Sequence, residues 1–245
     1  MKIHIGTSGY AYKEWKGRFY PERIAPGEML RFYSGRFRTV EVNNTFYRMP
    51  KESVLGSWAQ QVPGDFIFGF KAPRAITHLK RLRNVHEEAA YLFRTLSVLG
   101  AKLGPVLFQL PGSFRADREA LTDFLGLIPG GRACAFEFRS PTWLEEDILD
   151  RLREVGTSLC VADTDEKPAD RILPTAPWGY LRLRRSEYTD ADLARWLERI
   201  LEQRWERAFL FFKHEEEARG PETAARFQAL VDRISGRRRS ARATA

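Results

Sequence analysis

Carboxylate and ammonium side chains stand along this chain where they could do chemistry on an anionic molecule. Glu41, Glu137 and Asp163 are the candidate acids, and each lies at or near the end of an apolar, β-rich run. Carboxylates transfer protons or hold hard cations, whereas an ammonium such as that of Lys71 stabilises negative charge that develops in a reaction. These four residues are therefore predicted to be catalytic.

A second set of residues has the chemistry to bind and orient such a ligand. Arginine presents a fork that suits phosphate or carboxylate, amides and hydroxyls orient a ligand by hydrogen bonds, and aromatic rings stack on bases or sugars. The predicted binding residues are Thr7, Ser8, Tyr10, Asn43, Tyr47, Gln109, Arg139, Trp143, Arg182, Lys213 and His214.

A purely structural interpretation of the charged residues competes with the functional one. In that interpretation Lys71, Arg139 and Arg182 only neutralise Glu41 and Glu137, in a closed ion-pair network that plugs the interior of the protein. The aromatic residues would then pack beneath loops instead of touching a ligand. The sequence leaves both interpretations open.

Eight short β-rich runs must position these side chains. Their spacing is that of strands alternating with helices, and helical periodicity fills most of the gaps, for example over 84–99, 117–128 and 190–201. The weakest gap is 164–177, which is rich in loop-forming residues and has little periodicity. The runs cover residues 2–6, 38–43, 66–71, 105–110, 133–139, 158–163, 179–184 and 208–213.

Eight such units predict an α/β fold, a single (β/α)8 TIM barrel over residues 1–235, with a degenerate unit after strand six. A doubly wound sheet is the rival fold, but it does not explain polar residues at the end of every strand. Alternate residues of a barrel strand face the interior, so Glu41, Lys71, Glu137 and Arg182 are predicted to share one mouth.

The charge balance is a weak indication of a nucleic-acid partner. The 245 residues carry a formal net charge of +8, and arginines at 237, 238, 239 and 242 supply half of it. The remainder is only mildly basic. Residues 236–245 are therefore interpreted as a basic, disordered tail, which either keeps the protein in solution or contacts a polyanion.

Several classes of protein and site are disfavoured. No apolar run is long enough for a transmembrane helix or a signal peptide, and two cysteines cannot form a disulfide framework, so a cytoplasmic protein without a membrane partner is expected. No phosphate-binding loop or dinucleotide motif is present, and no cofactor is predicted. Four histidines do not support a multi-zinc site, but Mg²⁺ or Mn²⁺ held by Glu41, Glu137 and Asp163 stays open. Strands four and seven offer Gln109 and Arg182, not the paired acids of common glycosidase barrels.

Ordered motifs over nearly the whole chain resemble the YecE-like family, domain of unknown function 72. They begin with residues 5–10, 15–21 and 40–47 and continue with 70–73, 108–111, 137–139 and 180–182. The resemblance implies a (β/α)8 barrel and no established reaction. This chain departs from the family pattern at Tyr10, where relatives tend to have Trp, and at 213–215, where relatives have an asparagine-rich segment.

The leading hypothesis is a hydrolase-like enzyme that acts on an anionic ligand, such as a phosphate ester or a nucleic-acid fragment, at the carboxyl end of the barrel. Two alternatives remain: a non-catalytic protein that binds nucleic acid or a small anion, and a metal-assisted sugar isomerase or epimerase suggested by the fold alone. The sequence does not indicate an oligomeric state.

Overall fold

A computed structural model describes residues 1–213 and 216–243 of the chain. Eight parallel strands pair in chain order, and the eighth pairs with the first, so the sheet is a closed barrel. This confirms the predicted (β/α)8 fold. The strands are β1 (Lys2–Ser8), β2 (Thr39–Val42), β3 (Ile67–Lys71), β4 (Leu103–Leu110), β5 (Cys134–Phe138), β6 (Ser158–Asp163), β7 (Trp178–Leu183) and β8 (Arg207–Phe212).

Helices cover most of the outside of the barrel. Their apolar faces lie on the outward residues of the strands, and local caps fix where some of them begin: Asp117 accepts a hydrogen bond from the Ala120 amide at the start of one helix, and Thr189 and Asp192 form a capping box at another. The helices are α1 (Met29–Ser34), α2 (Glu52–Gln61), α3 (His86–Ser97), α4 (Arg118–Leu125), α5 (Glu146–Glu154), α6 (Asp190–Leu201) and α7 (Arg219–Ala243).

The unit after β6 is degenerate, as the sequence predicts. No helix forms in the described segment 164–177, which connects β6 directly to β7. Pro168, Pro174 and Pro177 remove backbone donors along this stretch, and proline is tolerated only in the first turn of a helix. The outer layer of the barrel therefore has a gap beside β6.

The barrel interior has an apolar layer below a charged one. The lower layer is a buried cluster that includes Leu107, Ala135 and Tyr180. Two residues further along each strand, towards the carboxyl end, the next inward-facing residues are Gln109, Glu137 and Arg182. All three are buried. The same alternation that fills the core thus delivers polar groups to the mouth of the barrel.

The last helix differs from the prediction at the chain end. The backbone of α7 is helical from Arg219 to Ala243, and it includes most of the segment 236–245 that the sequence assigns to a disordered tail. Alanine and arginine are good helix formers, and they recur through this segment.

Within the described ranges, no helix is both long enough and apolar enough to span a membrane.

Candidate functional site

The centre of the site is a buried ion-pair triad that joins three strands. Arg182 on β7 donates from Nη2 to Glu41 Oε1 of β2 at 3.0 Å and from Nη1 to Glu137 Oε2 of β5 at 2.6 Å. None of the three side chains is more than 4 % exposed. We call Glu41, Glu137 and Arg182 the inner cluster; as predicted, they share one mouth.

Neutral and cationic donors make further hydrogen bonds to the two glutamates. The Tyr180 hydroxyl donates to Glu41 Oε2 at 2.6 Å, and Asn43 Nδ2 donates to Glu41 Oε1 at 3.1 Å. Gln109 Nε2 donates to Glu137 Oε1 at 2.6 Å, while Arg139 Nε reaches the same oxygen at 3.3 Å. All four carboxylate oxygens of the inner cluster therefore accept hydrogen bonds within the protein.

The inner cluster stays ionised because its charges stabilise one another. Burial alone would raise the pKa of the Glu137 carboxyl, but the charge of Arg182 and the hydrogen bonds from Gln109 and Arg182 lower it to about 2. Burial would also raise the pKa of the Glu41 carboxyl, but the charge of Arg182 and the hydrogen bond from Tyr180 lower it below its ordinary value. Burial would lower the pKa of Arg182, but the two carboxylates hold it well above its ordinary value. These glutamates are consequently poor proton carriers near neutral pH.

Lys71 lies at the mouth and titrates near neutrality. Its Nζ lies over the Phe46 ring, 4.1 Å from the centroid, and the side chain is half-buried. Burial and the charge of Arg182 lower the pKa of Lys71 to about 8, against the opposing effect of Glu137 and Glu41. An amine in this condition can donate or accept a proton at physiological pH.

Two arginines beside Lys71 add positive charge to the mouth. The Arg139 side chain is 49 % exposed, so it can reach a ligand from solvent. Arg184 follows β7 and is half-buried, and its Nε is buried without a hydrogen-bond partner. Burial and the charge of Arg182 lower the pKa of the Arg184 guanidinium. The cations thus disfavour one another, and a bound anion would relieve that repulsion.

His78 joins the mouth from the π-helical turn Ala75–Leu79 and is absent from the predicted site. Its Nδ1 lies 2.8 Å from Thr77 Oγ1, and its ring meets the Phe46 ring edge-on at 4.9 Å between centroids. Burial and the charges of Lys71 and Arg139 lower the pKa of His78. The sequence could have indicated His78 as a site residue, because it lies in the loop after β3 and such loops form the mouth of a barrel.

Thr7 and Ser8 are neighbours in the sequence but face opposite sides of the wall. The Thr7 hydroxyl lies 2.9 Å from the Tyr33 hydroxyl in the outer layer, away from the interior. Ser8 points inward beside Glu41 and helps to lower the pKa of that carboxyl, yet its buried Oγ has no hydrogen bond of ordinary geometry. Ser8 is therefore the one of the two that borders the inner cluster.

Asp163 belongs to a separate network, not to the inner cluster. Its Oδ2 accepts hydrogen bonds from Arg185 Nε at 2.9 Å and the Tyr188 hydroxyl at 2.8 Å, and its Oδ1 accepts one from the Ala169 amide at 2.8 Å. Asp163 shares the outward face of β6 with Val161, which lies in the outer core. We call Asp163, Arg185 and Tyr188 the outer cluster. It fastens the helix-free segment after β6 to the loop after β7.

The three predicted aromatic binders have different surroundings. Trp143 is fully buried, stacks on Phe138 and donates from Nε1 to the Phe114 carbonyl at 2.7 Å, so it packs under the loops. Tyr10 is half-buried in the outer aromatic layer. Tyr47 is 76 % exposed and contacts Phe46 edge-on. Among these three rings, Tyr47 is the one open to a ligand.

The end of β8 is described in part. Lys213 is half-buried, and its amide donates to the Leu183 carbonyl at 3.2 Å. This puts its backbone beside the end of β7. His214 lies outside the described residues.

The acidic residues do not fit a divalent cation. The Arg182 guanidinium occupies the space between Glu41 and Glu137, whose oxygens already accept hydrogen bonds, and Asp163 serves the outer cluster. Across residues 1–213 and 216–243, no group of three or more His, Cys, Asp and Glu side chains is arranged to hold a metal ion. The Mg²⁺ or Mn²⁺ site considered from the sequence is therefore not supported by these residues.

A closed barrel of eight parallel strands, with charged residues gathered at the carboxyl ends, defines a (β/α)8 barrel protein with a candidate active site in the usual place for the fold. Within that class the chain belongs to the DUF72 family, described as "Protein of unknown function DUF72", whose sequence model matches residues 4–244. The resemblance seen in the sequence is thereby confirmed.

Curated relatives and solved structures agree with this membership. UPF0759 protein YecE of Escherichia coli (strain K12) is 34 % identical over 170 residues, which is 66 % of this chain and 59 % of YecE. UPF0759 protein YunF of Bacillus subtilis (strain 168) is 28 % identical over 161 residues, covering 61 % of this chain and 55 % of YunF. The matches thus span little more than half the length of these relatives.

Two crystal structures of DUF72 family proteins share the fold. The Thermotoga maritima protein has a TM-score of 0.84 and 27 % identity, covering 95 % of this chain and 100 % of that one. An Enterococcus faecalis protein has a TM-score of 0.80 and 18 % identity, with 94 % and 95 % covered.

Proposed function

We propose that this protein is a hydrolase-like enzyme that binds a small anionic ligand, a phosphate ester or nucleic-acid fragment, at the carboxyl-terminal mouth of the barrel. The observation that carries the proposal is the excess of positive charge there. The inner cluster holds two carboxylates and one guanidinium, while Lys71, Arg139 and Arg184 surround it. These six side chains together carry a net positive charge, which favours an anion.

The exposure and the pKa of each side chain determine its role in the proposed reaction. Arg139 and Arg184 bind the phosphoryl oxygens, because guanidinium forks suit phosphate. Water attacks phosphorus, the bond from phosphorus to the ester oxygen breaks, and the Lys71 ammonium protonates the departing oxygen. One proton of the attacking water stays on the phosphate product, the other passes to solvent, and Lys71 is reprotonated from solvent. Glu41 and Glu137 hold Arg182 in place and transfer no proton.

The first test is the binding of inorganic phosphate, measured by calorimetry. Arg139→Ala is expected to weaken binding roughly tenfold or more, because it removes a charge-assisted hydrogen bond. Arg207→Ala is the matched control: Arg207 is exposed and begins β8, at the opposite end of the barrel. If phosphate does not bind, or if both variants weaken it equally, the anion site is wrong.

The second test is turnover of a panel of phosphate esters and oligonucleotides, with and without Mg²⁺ or Mn²⁺. A general acid is active while protonated, so turnover should fall as the pH rises through the Lys71 pKa of about 8 in the free protein. Lys71→Gln should abolish this alkaline limb and most of the turnover. Saturable binding without turnover of any panel member would instead identify a non-catalytic anion-binding protein.

A further inference from the structure

Within the closed barrel, β5 and β6 separate towards their carboxyl ends. These strands pair at Ala135↔Ser158 and Phe136↔Leu159, and no paired residues follow, although both strands continue. On their other sides, β5 stays paired with β4 as far as Phe138, and β6 with β7 as far as Asp163. The backbone groups along the free part of each edge therefore face a space instead of a neighbouring strand.

A cavity of about 750 Å³ occupies this space. It extends into the gap left by the missing helix after β6. Its walls combine apolar side chains with charged ones from the segment after β6. The apolar ones are Phe138, Leu144, Leu159, Val161 and Leu173, and the charged ones are Asp165, Glu166, Lys167, Asp170 and Arg171. We call it the side cleft. Leu159 is half-buried, although a residue on the outward face of a barrel strand would normally be covered by a helix. The opening is thus a feature of the wall as well as of the loops.

The side cleft is continuous with the proposed anion site. Glu137, Arg139 and Arg184 line the cleft and also border or belong to the inner cluster. Arg184 Nε is a buried donor with no partner at this junction. A ligand whose phosphate meets Arg139 and Arg184 would therefore direct the rest of its structure into the cleft.

The geometry points to a nucleoside-sized phosphate ester as the substrate class, with its phosphate at Arg139 and Arg184 and its ring system in the side cleft. This inference rests on the proposed anion site and adds the organic part of the ligand. A cavity of this volume suits a compact organic group. The apolar part of its walls suits the faces of a planar ring, while the free strand edges offer amide and carbonyl groups to the ring's polar rim.

Calorimetry with three ligands tests the inference: inorganic phosphate, glycerol 3-phosphate and adenosine 5′-monophosphate. The nucleotide is expected to bind at least about tenfold tighter than the other two, because only it buries apolar surface in the cleft. Leu159→Trp projects a larger side chain into the cleft, so it should weaken nucleotide binding several-fold and leave phosphate binding unchanged. Leu103→Trp, at a half-buried leucine that begins β4, is the matched control.

A second variant covers the case in which Leu159→Trp fails to fold. Leu144 lines the cleft and is 37 % exposed, so Leu144→Ala should fold normally and weaken only the nucleotide, by a few-fold. If phosphate binds but the nucleotide binds no tighter, or if both cleft variants leave the nucleotide unaffected, the substrate class is wrong and the anion site stands. If none of the three ligands binds, both proposals are wrong.

Discussion

Glu137 and Asp163 stand at the ends of adjacent strands, and the comparison of their clusters shows what decides the role of such a residue. Both carboxylates are buried, and both accept hydrogen bonds from an arginine. Glu137 faces the interior and borders the proposed anion site, whereas Asp163 faces the outer layer and fastens two loops. Both are acidic residues near the carboxyl end of a strand, so the face of the strand makes the difference.

The two clusters also differ in their access to water. Arg182 is 3 % exposed and bridges two buried carboxylates, while Arg185 is 25 % exposed and pairs with Asp163 at 2.9 Å and with Asp192 at 3.8 Å. Loss of a partner in the inner cluster leaves charges that water does not reach, whereas the outer arginine can be hydrated. The inner cluster should therefore dominate stability, and the outer cluster should matter for loop order.

The largest effect is expected from Arg182→Leu. The substitution leaves two carboxylates buried without a counterion, so the free energy of unfolding should fall by about 3–5 kcal/mol. Urea denaturation at neutral pH measures the change, with Arg207→Leu as the control at an exposed site. A loss no larger than that of the control would show that the inner cluster is hydrated and that the contrast between the clusters is false.

The next largest effect is the loss of Glu137's contribution to the free energy of unfolding at acidic pH. The pKa of Glu137 is lowered from 4.5 to about 2, so its contribution is complete above the ordinary value and is lost as the pH falls towards about 2. Linkage puts the contribution on the order of 3 kcal/mol. Denaturation curves across this window should show Glu137→Gln less stable than the parent protein at pH 4.5 and converging with it near pH 2. Parallel curves would contradict the assignment.

A smaller effect is expected from Asp163→Asn in the outer cluster. The variant keeps the shape of the side chain but loses its charge and one well-placed acceptor, so the free energy of unfolding should fall by about 1–2 kcal/mol. Hydrogen exchange of the Ala169 amide should become faster, because that amide donates to Asp163 Oδ1 at 2.8 Å. Affinity for inorganic phosphate should not change. If the variant loses phosphate binding, Asp163 contributes to the anion site after all.

The smallest effect is expected from Tyr180→Phe. It removes one neutral donor from Glu41 Oε2 and leaves the ion pair with Arg182 in place, so a loss of about 1 kcal/mol is expected. Thermal denaturation measures it. A loss as large as that of Arg182→Leu would mean that the hydroxyl, not the guanidinium, secures the inner cluster.

The sequence predicts the strands and the interior residues well because one periodicity governs both. Alternation along β2, β5 and β7 puts Glu41, Glu137 and Arg182 inside together. The same alternation also applies to β6. Cys160 faces the interior, so Asp163, three residues later, faces outward. The prediction that Asp163 joins Glu41 and Glu137 did not apply this alternation. Tyr180 could also have been found, since it lies on the same face as Arg182, two residues before it.

Other features of the site depend on contacts that no local pattern encodes. His78 reaches the mouth because a π-helical turn brings it against Phe46, and Trp143 leaves it because Phe114 and Phe138 enclose its ring. The sequence could not say which cation pairs with Glu41 and Glu137. Of the three candidates, Arg182 bridges both glutamates, Arg139 makes a longer contact with Glu137, and Lys71 lies over an aromatic ring.

The bridge made by Arg182 has a consequence for the order in which the chain can fold. Its guanidinium connects positions that lie 141 and 45 residues earlier in the polypeptide. Until the ribosome has released β7, a growing chain has two carboxylates destined for the interior and lacks the guanidinium that bridges them. They must stay hydrated until then, so closure of the barrel cannot precede the synthesis of β7.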